Sequence, residues 1–143
     1  MRDVIQKWYE WLKQATSIEK QELAHVYSDG RQLWASDGYS LHARQVVTEK
    51  QGQVTLNEEG LFEVNENGRL PDFAACLPRF QPTTSIVIDR DRLLQALAGQ
   101  DRHVRLTFFA EDQAVELSSA GAFALVMPLT GLDEEDFWHP ERS

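Results

Sequence analysis

Cysteine is nearly missing from this sequence: Cys76 is the single one in 143 residues. One thiol excludes an internal disulfide framework and a four-cysteine zinc site. Long apolar runs are missing too, and none reaches the ~18 residues of a membrane-spanning helix. Positive charge is scarce. Fourteen Lys and Arg stand against 23 Asp and Glu, a formal net charge of −9. That balance opposes attraction to nucleic acid over the whole surface but not a local basic face. No phosphate loop, glycine-rich dinucleotide turn or Gly-x-Ser-x-Gly elbow occurs. The chain opens on Met1-Arg2-Asp3 and an amphipathic stretch, not a signal peptide, so a reducing cytoplasm is the expected setting. What is present suits one ordinary domain: 42% of residues are hydrophobic, enough for a core without staples.

Periodicity organises the chain. Val4, Ile5, Trp8, Trp11, Leu12 and Ala15 recur at three- and four-residue steps, which predicts a helix over residues 3–15 with one apolar stripe. Three β-rich runs follow, at 23–27, 32–35 and 39–47. They are separated by Ser28-Asp29-Gly30 and Ser36-Asp37-Gly38, and Asp-Gly supplies the positive φ of tight hairpins. Short strands are expected at 54–56 and 61–64, with turns at 57–60 and 65–68. Residues 70–82, with Pro71, Pro78 and Pro82, read as a connector. The opening pattern then returns. A strand is predicted at 85–88, then a helix over 90–98 capped by Asp89, closed by Gly99 and turning Leu93, Leu94 and Leu97 inward. Strands follow at 104–109, 113–117 and 122–127.

The order helix, then three-stranded meander, thus occurs twice, in half-repeats of about 1–56 and 85–130 joined by a connector at 57–84. The expected fold is α+β: one domain over 1–130, with both halves in one continuous antiparallel sheet and two helices on one face. Residues 131–143 form an acidic and aromatic tail, Asp133-Glu134-Glu135-Asp136 followed by Phe137 and Trp138. Its tryptophan either packs back on the domain or docks on another protein.

Several stretches resemble the bacterial sliding clamp, the beta subunit of DNA polymerase III. Residues 86–97 resemble the strand and helix that open the last half-domain of such clamps, and residues 123–129 their closing strand ending in Val126-Met127-Pro128. Ala35-Ser36-Asp37-Gly38-Tyr39-Ser40-Leu41 is similar to a clamp turn, with Ser40 where the family has Arg. Gly68-Arg69-Leu70-Pro71-Asp72-Phe73 resembles a third clamp segment, although it falls between the halves. The resemblance implies a non-enzymatic role in DNA replication or repair, as a processivity factor or a regulator of one. Clamps carry three such domains per chain and close into a six-domain ring, so a single domain would need homo-oligomerisation to encircle DNA.

Two sets of residues follow from that resemblance. Lys7, Lys13, Arg90, Arg92 and Arg102 are candidates to face DNA, although Asp3, Glu10, Asp91 and Asp101 stand among them and a solvated helix face accounts for them more simply. Gly38, Tyr39, Leu41, Val126, Met127, Pro128 and Leu129 match the pocket that takes a short apolar motif of partner proteins. They also suit strand ends that fill a core. No catalytic, cofactor-binding or metal-binding residue is assigned. His25, His42, His103 and His139 are scattered, and His42-Ala43-Arg44 lacks metal-ligand spacing. Cys76 in its apolar stretch reads as a buried, inert thiol, and Trp8, Trp11 and Trp34 as core.

Overall fold

The computed structural model describes residues 2–66 and 69–140, with Glu134 described for its backbone alone. The expected turn at 65–68 and the start of the Gly68-Arg69-Leu70-Pro71 match lie partly outside the described residues, at Asn67 and Gly68, as do the last three residues of the tail. The chain divides into two compact units. One runs up to Pro78 and takes in the chain from Trp138; the other is Arg79–Phe137.

The first unit opens with α1 (Arg2–Lys13), followed by β1 (Val26–Asp29), β2 (Gln32–Ser36), β3 (Leu41–Gln45), β4 (Gln51–Leu56) and β5 (Phe62–Asn65). The strands form an antiparallel sheet in the order β3-β2-β1-β4-β5. Both Asp-Gly turns are as expected: Gly30 and Gly38 have φ of 102° and 91°. Asp29 and Asp37 fold back to accept the N–H groups two and three residues on, the Asx turn that favours Asp before Gly.

Alternation along the strands separates two faces. On one, Leu12 and Ala15 of the α1 segment bury Val26, Leu33, Ala35 and Val54. On the other, Tyr27 and Trp34 pack against Phe73, with Leu41, Ala43, Leu70 and Leu77 around them. The proline-rich connector is therefore a second cover. It carries a one-turn 3₁₀ helix, Phe73–Cys76, whose Asp72 cap accepts from Ala75 N at 3.3 Å. Trp34 and Phe73 stack at 5.8 Å with 6° between their rings. Cover on both faces explains why all five residues of β2 are buried. Each large side chain so enclosed contributes roughly 1.5–3 kcal/mol.

The second unit holds α2 (Arg90–Ala98) and the antiparallel strands β6 (Arg105–Thr107), β7 (Val115–Ser118) and β8 (Phe123–Val126), in that order. Asp89 caps α2 by accepting from Asp91 N at 2.9 Å, and Gly99 ends it. Val115, Leu117 and Val126 are its buried core, lined by Ile86, Ile88, Leu93, Ala96, Val104 and Ala124.

The helix-then-meander order is thus present twice, with Gly38 and Gly121 both in the second turn of their meanders. The expectation of one continuous sheet under two helices is corrected: the described strands form two sheets. The short runs at 54–56 and 61–64 supply the physical reason. β4 adds to the open side of β1 and β5 to that of β4, so the first half is extended by its own following strands rather than by the second half. Residues 85–88 form no strand. Ile86 and Ile88 are half-buried against the core, and Val87 O accepts from Leu129 N at 2.8 Å. Leu94 and Leu97 are exposed rather than inward. From α2, Leu93 and Ala96 are the residues that pack on this core, beside Ile86 and Ile88 of the preceding segment.

Candidate interaction surfaces

The candidate DNA-facing residues occupy both units. Lys7 and Lys13 are exposed on α1, and Lys13 Nζ donates to Ala24 O at 3.5 Å. Arg90 pairs with Asp91 at 3.1 Å, and Arg92 approaches Asp89 at 3.9 Å. Both pairs are solvent-exposed and of small energetic weight. They nevertheless place a carboxylate beside each α2 arginine, which weakens the field offered to a phosphate. Arg102 is exposed beyond the helix.

The candidate peptide-pocket residues are also divided. Gly38, Tyr39 and Leu41 belong to the first unit, and Val126, Met127, Pro128 and Leu129 to the second. Leu41 packs on the Tyr27, Trp34 and Phe73 cluster, and Val126 is buried in the second core. Tyr39 and Met127 are different: they are 98% and 61% exposed, and Leu129 is 47% exposed. The Asp37 carboxyl that shapes the turn before Tyr39 is held below the usual carboxylate range by the N–H groups of Ser40 and Tyr39.

Trp34 is core, as expected, but reading Trp8 and Trp11 as core missed a ladder between α1 and β3. The Arg44 guanidinium lies 3.8 Å from the centre of the Trp8 ring. Trp11 and His42 stack at 4.2 Å with 9° between planes, and His42 Nδ1 donates to Trp11 O at 2.7 Å. Trp8 and Trp11 are one helical turn apart, and His42 and Arg44 are two residues apart on a strand. Both spacings put the pairs in line. The readable signal was therefore the alternation in His42-Ala43-Arg44: it opposes Leu33 and Ala35 on the face that α1 covers. Arg44 Nε is buried with no hydrogen-bond partner. Arg44→Ala should cost about 1–2 kcal/mol through lost cation–π contact and packing, whereas Arg44→Met, which fills the space and removes the orphan donor, should stay within about 0.5 kcal/mol of the parent in urea unfolding.

A cleft of about 280 Å³ lies between the Asp29 turn and the connector, lined by Asp29, Trp34, Leu70, Pro71, Asp72, Phe73 and Ala74. Its central carboxylate is already saturated. Asp29 accepts from Arg31 N, Gln32 N, Gln32 Nε2 and Trp34 Nε1, all at 2.8–2.9 Å. Burial alone would raise this carboxyl; the donors, the Trp34 indole foremost, outweigh it and hold the group below the usual range. Burial raises the Tyr9 and Tyr27 phenols, and Tyr27 Oη donates to Glu22 O at 2.9 Å.

The thiol reading is corrected: Cys76 ends the 3₁₀ turn with its side chain exposed, because Phe73 is the residue of that turn aimed at the core. His25 meets Tyr27 edge-on at 6.3 Å, and His103 and His139 are exposed. In the tail, Phe137 belongs to the second unit and Trp138 to the first. Among the described residues no three His, Cys, Asp or Glu gather as metal ligands would, and no helix is long and apolar enough to cross a membrane. No family model, curated protein or solved structure matches this chain.

Proposed function

We propose that this chain is a non-enzymatic protein-contact module, similar to one domain of a bacterial sliding clamp, working in DNA replication or repair in the cytoplasm. The observation that carries the reading is the exposure of Tyr39, Met127 and Leu129 at positions matching the clamp peptide pocket. Large apolar side chains displayed at a turn and a strand end contribute little to their own unit and suit capture of a short apolar segment of a partner. The repeated helix-then-meander order supports the same resemblance. Homo-oligomerisation would supply the pocket walls that clamps draw from neighbouring domains.

A second reading, contact with the DNA backbone, is favoured by the exposure of Lys7, Lys13 and Arg102. It is the weaker one, because Arg90 and Arg92 stand beside Asp91 and Asp89.

Fluorescence anisotropy separates the two. A labelled peptide carrying an apolar clamp-binding motif should bind saturably, with affinity falling at least about tenfold in Met127→Asp. Duplex DNA at low salt should bind weakly or not at all. Strong, salt-sensitive DNA binding without peptide binding would reverse the order of the two readings.

A further inference from the structure

Every open-edged sheet offers unpaired N–H and C=O groups, and proteins usually protect them with charge, proline or cover. The two sheets have four edges, and three carry such protection. β3 bears Arg44, β5 bears Glu63 and β6 bears Arg105, whereas β8 meets α2 on its core face and carries no charge of its own. The fourth edge, β8, reads Phe123-Ala124-Leu125-Val126 and runs on to Met127, with no charge, glycine or proline before Pro128.

The hairpin before β8 fixes which groups are free. Ser119 N donates to Ala122 O at 3.0 Å, so these two form a hydrogen-bonded pair. Antiparallel ladders alternate. Leu117 and Ala124 are then the next bonded pair, and Val115 and Val126 the one after. Phe123 and Leu125 turn their N–H and C=O groups to the open side, where no strand among the described residues pairs with β8. The open stretch ends beyond Pro128, where Leu129 N meets Val87 O. The side chains alternate as well: Ala124 and Val126 enter the core, while Phe123, Leu125 and Met127 are 62%, 56% and 61% exposed.

We infer that β8 is a homodimer edge, pairing antiparallel with β8 of a second copy across a two-fold axis at Leu125. This deepens the protein-contact reading by assigning a second copy of this chain to one surface. The strand is self-complementary about that axis. Leu125 faces its own copy and exchanges two N–H···O bonds with it, Phe123 faces Met127, and Ala124 faces Val126. Every opposed pair is apolar, so no like charges meet. Two three-stranded sheets become one of six strands. A strand this short buries less than a standard interface, so the dimer is weak, with a dissociation constant on the order of tens of micromolar. Two copies of net charge −9 repel at long range, so added salt tightens the pairing. That sign is opposite to DNA binding.

Sedimentation equilibrium of the full chain from about 5 to about 500 µM tests this. The expected result is a monomer–dimer equilibrium, strengthened between about 20 and about 300 mM salt and abolished by Leu125→Lys, which opposes two ammonium groups at the axis. A second variant guards against loss of folding. In a Cys76→Ser background, Leu125→Cys should form an intermolecular disulfide, because bonded antiparallel partners have Cα atoms about 5.5 Å apart. Thr107→Cys, on the other edge of the sheet, should not. A monomer at every concentration, or a dimer that survives Leu125→Lys and gives no Leu125→Cys cross-link, overturns the inference. Met127 belongs to both surfaces, so the two readings are separated by Leu125→Lys, which should abolish the dimer in sedimentation and leave peptide binding by anisotropy in place.

Discussion

Gly52→Ala should disrupt the five-stranded sheet. Gly52 pairs with Ser28 in the middle of the sheet and is buried, with φ of 151°, a conformation that L residues rarely adopt. A Cβ added there would lie 2.0 Å from Asn65 O and 2.7 Å from Asn65 C, both backbone atoms of β5. No rotamer relieves a clash with backbone. Either β5 separates from β4, exposing Phe62 and Val64 from the first core, or β4 leaves β1. Strain at such φ costs about 1–3 kcal/mol by itself. With the broken pairing, the loss should exceed about 3 kcal/mol and lower Tm by more than about 10 °C. Gly99→Ala is the control: Gly99 has φ of −95° and nothing within 4 Å of an added Cβ, so its Tm should hardly move. Equal melting of the two variants by far-UV circular dichroism would contradict this account of β4 and β5.

The other large effect belongs to Asp29. Its carboxylate ties the β1–β2 turn to the ring of Trp34, itself stacked on Phe73. Asp29→Ala would leave Trp34 Nε1 and Gln32 Nε2 without this acceptor on buried residues, and a hydrogen bond to a charged group contributes roughly 1.5–3 kcal/mol. A loss of about 3 kcal/mol is expected, with a changed near-UV signal from Trp34. Asp29→Asn should lose about 2 kcal/mol, because one amide end turns N–H against N–H. The pH dependence has a fixed sign. The folded-state carboxyl sits below its ordinary value, so the stability it contributes is fully present above about pH 4–5 and is lost as pH falls through the folded value. The gap between parent and Asp29→Asn in urea unfolding should therefore narrow from pH 7 towards pH 3. A gap that widens on acidification would mean that the carboxylate is not held by these donors.

Local signals were legible in the sequence where local chemistry decides the structure. The stripe in residues 3–15, both Asp-Gly turns, the Asp89 cap and the strand runs at 113–117 and 122–127 all lie within a few residues of what they specify. What was not legible depends on partners distant in sequence. Gly52 looks like any turn glycine until β5 passes over it. Residues 85–88 have strand composition, but composition does not supply a neighbour to pair with. Trp8 and Trp11 satisfy a core stripe as well as they satisfy a stack on His42 and Arg44. The choice is made by β3, some thirty residues away. The single sheet failed because 54–56 and 61–64, each recognisable as a strand, carry no mark of which strand they join.

The interaction residues divide in the same way. Leu41 and Val126 follow the core reading that strand alternation offered, whereas Tyr39, Met127 and Leu129 stand exposed. The β8 edge was visible only as a closing strand. Its lack of charge acquires meaning once the other three edges are known to be protected.

Amide and methyl chemical-shift mapping of the full chain, with the apolar peptide and with duplex DNA in parallel, tests the protein-contact claim most directly. The account predicts saturable peptide-induced shifts at the exposed pocket candidates, Tyr39 in the first unit and Met127 and Leu129 in the second being read separately, with Lys7, Lys13, Arg90, Arg92 and Arg102 undisturbed by DNA at near-physiological salt. Shifts confined to those five basic residues on adding DNA, with none on adding peptide, would contradict it.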